Sequence, residues 1–220
     1  MEESGLKSEF EPLVVPQEIV QRSFATIAEE FGAHGYSEPE WAIVQRVIHA
    51  TADFDLGRSL VFHPGAIAAG IEALQRGEPI VTDVQMVKAG LNASLLNRLG
   101  VDSCCFIGDE DVRREAERQR VTRAMAAMRK AAAEVSIGGI FVVGNAPTAL
   151  LELVRLMETG RLRPSLVVGI PVGFVSVAES KQELMQFAAV PFISNRGRKG
   201  GSPTAAAIVN ALGELASSCG

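Results

Sequence analysis

The hydrophobic pattern changes its period part-way along the chain. From Pro16 to Phe31 the apolar residues Ile19, Val20, Phe24, Ile27, Ala28 and Phe31 recur at helical spacing, which predicts an amphipathic helix ended by Gly32 and Gly35. Ser37 then fits an N-cap, with Pro39 and Glu40 in the first turn, and opens a second helix to about Thr51. Trp41, Val44 and Ile48 form its apolar stripe, while His49 and Asp53, four apart, are expected on a neighbouring face. A third helix, rich in Ala and closed by Gly77, is predicted over 64–76.

Beyond Gly77 short β-branched runs alternate with helical stretches. Strands are predicted at 79–82, 103–107, 139–143, 165–170 and 190–194, and helices at 84–89, 109–134, 146–157, 176–187 and 202–216. The run Ser165 to Ile170 is apolar without interruption, as a strand buried on both faces should be. Such alternation predicts an α/β fold: one domain over 16–220, a mostly parallel sheet with helices on both faces, and a helical N-terminal segment. Met1 to Phe10 are acidic and polar, and residues 1–15 are expected to be disordered or irregular.

Composition narrows the function classes. The 220 residues are 47% hydrophobic and carry a formal net charge of -5, so a general nucleic-acid surface is excluded. One Trp and one Tyr give no stacking platform for single strands. Any anionic ligand must then meet a local cluster of cations. Three cysteines, Cys104, Cys105 and Cys219, lack metal-ligand spacing and fit a reducing compartment. With neither a signal-peptide pattern nor an apolar run of membrane-spanning length, the chain reads as cytoplasmic.

In parallel α/β sheets, ligands bind outside the carboxyl ends of the strands. The loops expected there are rich in glycine: Gly144-Asn145-Ala146-Pro147, then 169–174, then Gly197-Arg198-Lys199-Gly200-Gly201-Ser202. Each leads into a helix N-terminus, which attracts anions. The segment from Asn195 to Gly201 concentrates three cations, a composition suited to carboxylates. It lacks the order of a phosphate loop, and no dinucleotide fingerprint follows a strand. Of the three histidines, His34 sits between glycines and His63 precedes Pro64 at a helix start. His49 has Arg46 and Asp53 nearby in sequence and is the stronger candidate for acid–base work. Hydrolytic triads and metal sites find no support in the pattern.

Several of these segments together resemble one family. Ser23-Phe24-Ala25-Thr26-Ile27, then 44–54 with Arg46-Val47-Ile48-His49-Ala50-Thr51, then Gly77–Asp83, Met86–Gly90, Val143–Leu150, Gly169–Val175, Glu179-Ser180-Lys181 and Gly197–Ser202 occur in the order of the precorrin-8X methylmutases. The resemblance implies an isomerase of cobalamin biosynthesis that needs no cofactor. It would move a methyl group from C-11 to C-12 of a corrin precursor, giving hydrogenobyrinate, or cobyrinate where cobalt is present. It further implies a homodimer with its pocket near the interface and a tetrapyrrole as partner. His49 matches the family's catalytic histidine, and Ser23 and Arg123 its substrate-contacting residues, although Ala124 stands where the family has Ser. Arg198, Lys199 and Gly173 complete the expected substrate-binding set, with no metal ligand. Two competing readings are a corrinoid carrier without turnover and a nucleotide- or sugar-phosphate-binding α/β enzyme.

Overall fold

The computed structural model describes residues 15–187 and 189–218. The expected irregular segment lies, apart from Val15, outside the described residues, as does Cys219. The chain divides into two compact units, Met1–His34 and Gly35–Gly220.

In the first unit, α1 spans Pro16–Phe31 as its periodicity predicts. Gly32, at φ 72°, ends it by donating its N–H to the Ala28 carbonyl. The His34 ring meets Phe31 edge-on, with centroids 5.8 Å apart.

The second unit is built on one sheet of six strands: β1 (Leu60–Phe62), β2 (Ile80–Thr82), β3 (Ser103–Cys104), β4 (Ile140–Val143), β5 (Leu166–Gly169) and β6 (Phe192–Asn195). Their order is β1-β6-β5-β4-β2-β3, parallel throughout except for β1, which pairs antiparallel with β6. Every residue of β2, β4, β5 and β6 is buried, which explains the unbroken apolar runs of β4 and β5.

Alternation along the strands sorts side chains to two helical layers. Val81, Phe141, Val143 and Val167 join a core with α8 (Arg123–Glu134), α9 (Pro147–Glu158) and α10 (Val177–Gln186). On the opposite face α11 (Ser202–Ser218) lies centrally, packed by α2 (Glu38–Thr51), α4 (Ala66–Gln75) and α5 (Gln85–Gly90). Glycine lets these layers close: a Cβ on Gly169 would stand 2.6 Å from a Leu184 methyl, and one on Gly70 3.0 Å from Leu166.

Four features depart from the sequence expectation. The helix expected over 109–134 is two helices, α7 (Glu110–Gln119) and α8, because Arg120 turns left-handed (φ 54°) and Thr122 caps the second by accepting from the Met125 N–H. Strand β1 and the short helix α3 (Phe54–Arg58) occupy a stretch with no predicted element. Helix α6 (Ala93–Arg98) likewise follows an Asn92 cap. The strand expected over 103–107 pairs only at its first two residues.

Candidate active site

The carboxyl ends of β2, β4, β5 and β6 open on one edge of the sheet, and neighbouring strands are about 4.8 Å apart. The turns after them therefore form a continuous rim. Directly after β2, fully buried Asp83 reaches across to the turn after β4. Its carboxylate accepts the N–H groups of Gly144 (3.0 Å), Asn145 (2.9 Å) and Ala146 (2.8 Å). Burial pushes the Asp83 carboxyl above the usual carboxylate range, and the three N–H groups oppose that shift. The anion-attracting turn ahead of α9 is thus occupied by the chain's own carboxylate.

The turns after β5 and β6 are joined to each other. Gly201 donates its N–H to the Ile170 carbonyl (2.9 Å), and Gly173 donates to the Arg198 carbonyl (3.4 Å). Gly200, at φ 151°, lies so close that a Cβ would stand 2.6 Å from the Ile170 oxygen. Beneath this loop lie two buried polar side chains. Lys181 on α10 donates to the carbonyls of Gly197 (3.0 Å) and Lys199 (2.6 Å), and Asn195 donates to those of Lys199 (2.9 Å) and Arg196 (3.2 Å). The Arg198 side chain projects from the loop as an exposed cation.

Helix α2 runs toward the same rim. At its start, Ser37 and Glu40 share a cavity of about 360 Å³ with His63 and Pro64, and His63 donates its N–H to Phe192 at the beginning of β6. Just past its end, Asp53 meets Lys199 in the loop that follows β6, Nζ to Oδ2 2.8 Å. His49 therefore sits, exposed, in the last turn of α2 at the carboxyl edge, whereas His63 lies at the amino edge.

The expected His49–Asp53 helical pair is not formed as such. Ala52 turns left-handed (φ 51°) and ends α2, so Asp53 begins α3, where it accepts the Leu56 N–H. Gly57 permits that turn: its missing Cβ would stand 2.6 Å from Ile48. Asp53 is instead bound to Lys199, which also reaches Asp55 at 3.3 Å. The lysine holds the Asp53 carboxyl below its ordinary range, helped by the Leu56 N–H. Arg46 pairs across to Glu214 on α11.

The other predicted residues are more scattered. Arg123 is exposed at the first turn of α8, beside Thr122, whose hydroxyl lies 3.0 Å from that of Thr148 just past the Asp83-bound turn. Ala124 is buried against the helical layer. Ser23 belongs to the first unit, where its hydroxyl donates to the Ile19 carbonyl (2.8 Å). Sequence reasoning passed over Asp55, and included Asp83, Asn195 and Lys181 in notable segments without giving them a role. Only Asp83 carried a signal, as a carboxylate directly after a short buried strand. Val172, Phe174 and Val175 are exposed on the rim, an apolar lip beside the cations. A cavity of about 710 Å³ lies between α7, α8 and α9, yet none of its lining residues belongs to the rim. Its Arg129 and Arg155 are tied to buried Glu152. Among the described residues no group of His, Cys, Asp and Glu could hold a metal ion.

Comparison with known proteins identifies the family. The family model of precorrin-8X methylmutase matches residues 18–215. The chain belongs to the precorrin-8X methylmutase family. It is 53% identical over 213 residues to the cobalt-precorrin-8 methylmutase of Priestia megaterium, covering 96% of this chain and 94% of that one. It is 46% identical over 208 residues to the protein of the same name from Leptospira interrogans, covering 92% and 94%. A solved structure, the precorrin-8x methyl mutase from Thermus thermophilus, superposes with a TM-score of 0.84 at 42% identity, covering 92% of this chain and 98% of that one. The methylmutase match runs through both compact units.

In this methylmutase the filled turn after β4 makes a specific prediction. Asp83→Asn keeps an acceptor but sets an amide N–H against backbone donors, and should cost about 2–3 kcal/mol of stability. Denaturant unfolding of the variant beside the parent checks this; an unchanged midpoint and slope would show that the carboxylate is not holding the turn.

Proposed function

We propose that this chain isomerises precorrin-8X, or its cobalt-containing counterpart, by moving one methyl group from C-11 to C-12 of the macrocycle. The observation that carries this reading is the rim, which joins His49, an exposed cation and an apolar lip at the carboxyl ends of adjacent parallel strands. A corrin precursor combines a flat, largely apolar ring with several acetate and propionate arms. Val172, Phe174 and Val175 suit the ring, and Arg198 suits an arm. The nucleotide reading loses ground because Asp83 already neutralises the turn that a phosphate would use.

In the proposed reaction His49 is a general acid. Protonation of a ring nitrogen withdraws electron density from the conjugated system, and the methyl group migrates with its bonding electrons to C-12. The proton then returns, so substrate and product have equal mass. Ser23 and Arg123 are assigned substrate contacts on the family resemblance, and Gly173 allows close approach of the loop. Residues 16–220 serve as one methylmutase-like domain, a reading supported by the match across both units. Among the described residues no helix is long and apolar enough to cross a membrane.

Arg198 and Lys199 are assigned to the arms with unequal weight, because the Lys199 ammonium is already shared by two carboxylates. Arg198→Ala should weaken product binding by about 1–3 kcal/mol, the range for a charged hydrogen bond, and Lys199→Ala by less. Absorbance titration with hydrogenobyrinate reads both; equal affinity in the Arg198 variant would assign the arms elsewhere.

The chain is proposed to act as a homodimer with the pocket near the interface, a reading that the exposed apolar lip supports. Sedimentation should give about twice the 23.4 kDa chain mass, whereas a monomer with full turnover would contradict the assignment.

The deciding experiment is single-turnover conversion of precorrin-8X by parent, His49→Ala and His63→Ala proteins. The His49 variant should fold and bind product yet lose about 10²–10⁴-fold in rate, as removal of a general acid does. The His63 variant should stay near the parent, since its ring meets Phe192 at a tilt at the opposite edge. A parent that leaves the spectrum of active substrate unchanged would sink the function, and a fast His49 variant would sink the acid.

A further inference from the structure

Lys181 is 1% exposed, and its side chain is among the largest that the fold encloses. Among the described residues it forms no ion pair. Its described partners are two backbone carbonyls, those of Gly197 and Lys199, in the loop that flanks Arg198. Enclosure draws its pKa down to about 8, a sign that the charge is held there at a cost. Asn195, at the end of β6, supplies further donors to the carbonyls of Lys199 and Arg196 and to the Ser59 hydroxyl. Carbonyls of the loop are thereby gathered onto two buried side chains. The cationic side chains of Arg198 and Lys199 stay at the surface.

A buried charge is a poor device for stability, since an apolar side chain of similar volume usually serves as well. It is an effective device for fixing a glycine-containing loop, whose backbone has little preference of its own. We infer that Lys181 is a positioning residue of the methylmutase reaction: it clamps the 195–201 loop so that Arg198 meets a substrate carboxylate and Lys199 reaches Asp53 beside the His49 helix. This rests on the proposed function only for the identity of the substrate. The clamping itself is a property of the loop.

The surroundings of Lys181 offer an unusual check. It lines a cavity of about 580 Å³, shared with Val61, Met185, Phe192 and Asn195, that opens at the protein surface. Shortening the side chain would leave a slot that a small alkylammonium ion can reach. In Lys181→Ala, n-propylammonium has N–H groups to offer the two carbonyls, whereas tetramethylammonium has none.

The test compares parent, Lys181→Ala and Lys181→Met by turnover of precorrin-8X, melting temperature and the rate of tryptic cleavage after Arg196, Arg198 and Lys199. Both variants should fold, with melting temperatures lowered modestly by the carbonyls left without a donor, be cut faster in the loop, and show KM raised about tenfold or more with kcat changed less. n-Propylammonium should restore KM and slow cleavage in the Ala variant, and tetramethylammonium should do neither. Parental KM and parental cleavage rates in both variants would overturn the inference. So would variants that fail to fold, because Lys181 would then be serving stability. If the parent itself does not turn over substrate, the functional reading fails, and cleavage rates with and without the alkylammonium still decide whether Lys181 clamps the loop.

Discussion

Asp83 and Lys181 are ionisable groups enclosed by the fold, and among the described residues each is held by backbone hydrogen bonds and not by an ion pair. The carboxylate collects three N–H groups from the turn after β4, and the ammonium collects two carbonyls from the turn after β6. Turns at the carboxyl edge of a parallel sheet carry backbone polar groups that no strand pairing satisfies, and leaving them buried and unpaired is costly. Here the turn after β4 is satisfied from beneath by a carboxylate, and the turn after β6 by an ammonium together with the Asn195 amide. The geometry of the rim, and so the position of whatever binds on it, follows from that arrangement.

The sheet supplies the rest of the constraint. Because β4, β5 and β6 are adjacent and parallel, their turns open together, and β1 joins antiparallel so that its beginning lies at the same edge. That reversal brings Ser59 and α3 against the loop after β6, through the Arg196 N–H and the Asn195 amide. Helix α2 then ends at the rim with His49 in its last turn, and the Asp53–Lys199 bridge ties helix end to loop. The bridge is partly exposed and contributes little to stability in its own right. Its consequence is spatial: two segments 146 residues apart in sequence present their chemistry side by side.

The sequence made the interior legible and the rim only partly so. Strands β4 and β5 announce themselves as unbroken apolar runs, and α1 and α2 as amphipathic helices with recognisable ends. Strand β1 has three residues and exists through its pairing with β6, a tertiary contact with no local signature. The break between α7 and α8 could have been read from Val121 and the Thr122 cap, but helix-forming residues on either side concealed it. His49 was visible from its helix and its motif. The change of partner at Asp53 was not, because the left-handed turn at Ala52 is made in the fold, where Gly57 leaves room for Ile48. Lys181 reads in sequence as one more polar residue of an amphipathic helix, and only the fold encloses it.

The carboxyl rim is proposed as the place of the chemistry, in preference to the charged cavity between α7, α8 and α9. The most direct test is a crystal structure with hydrogenobyrinate bound. The ring should lie over the ends of β4, β5 and β6, with a ring nitrogen within hydrogen-bonding distance of the His49 side chain and a carboxylate arm on Arg198. A ring seated between Arg129, Arg155 and Lys130, with His49 facing empty solvent, would contradict the account.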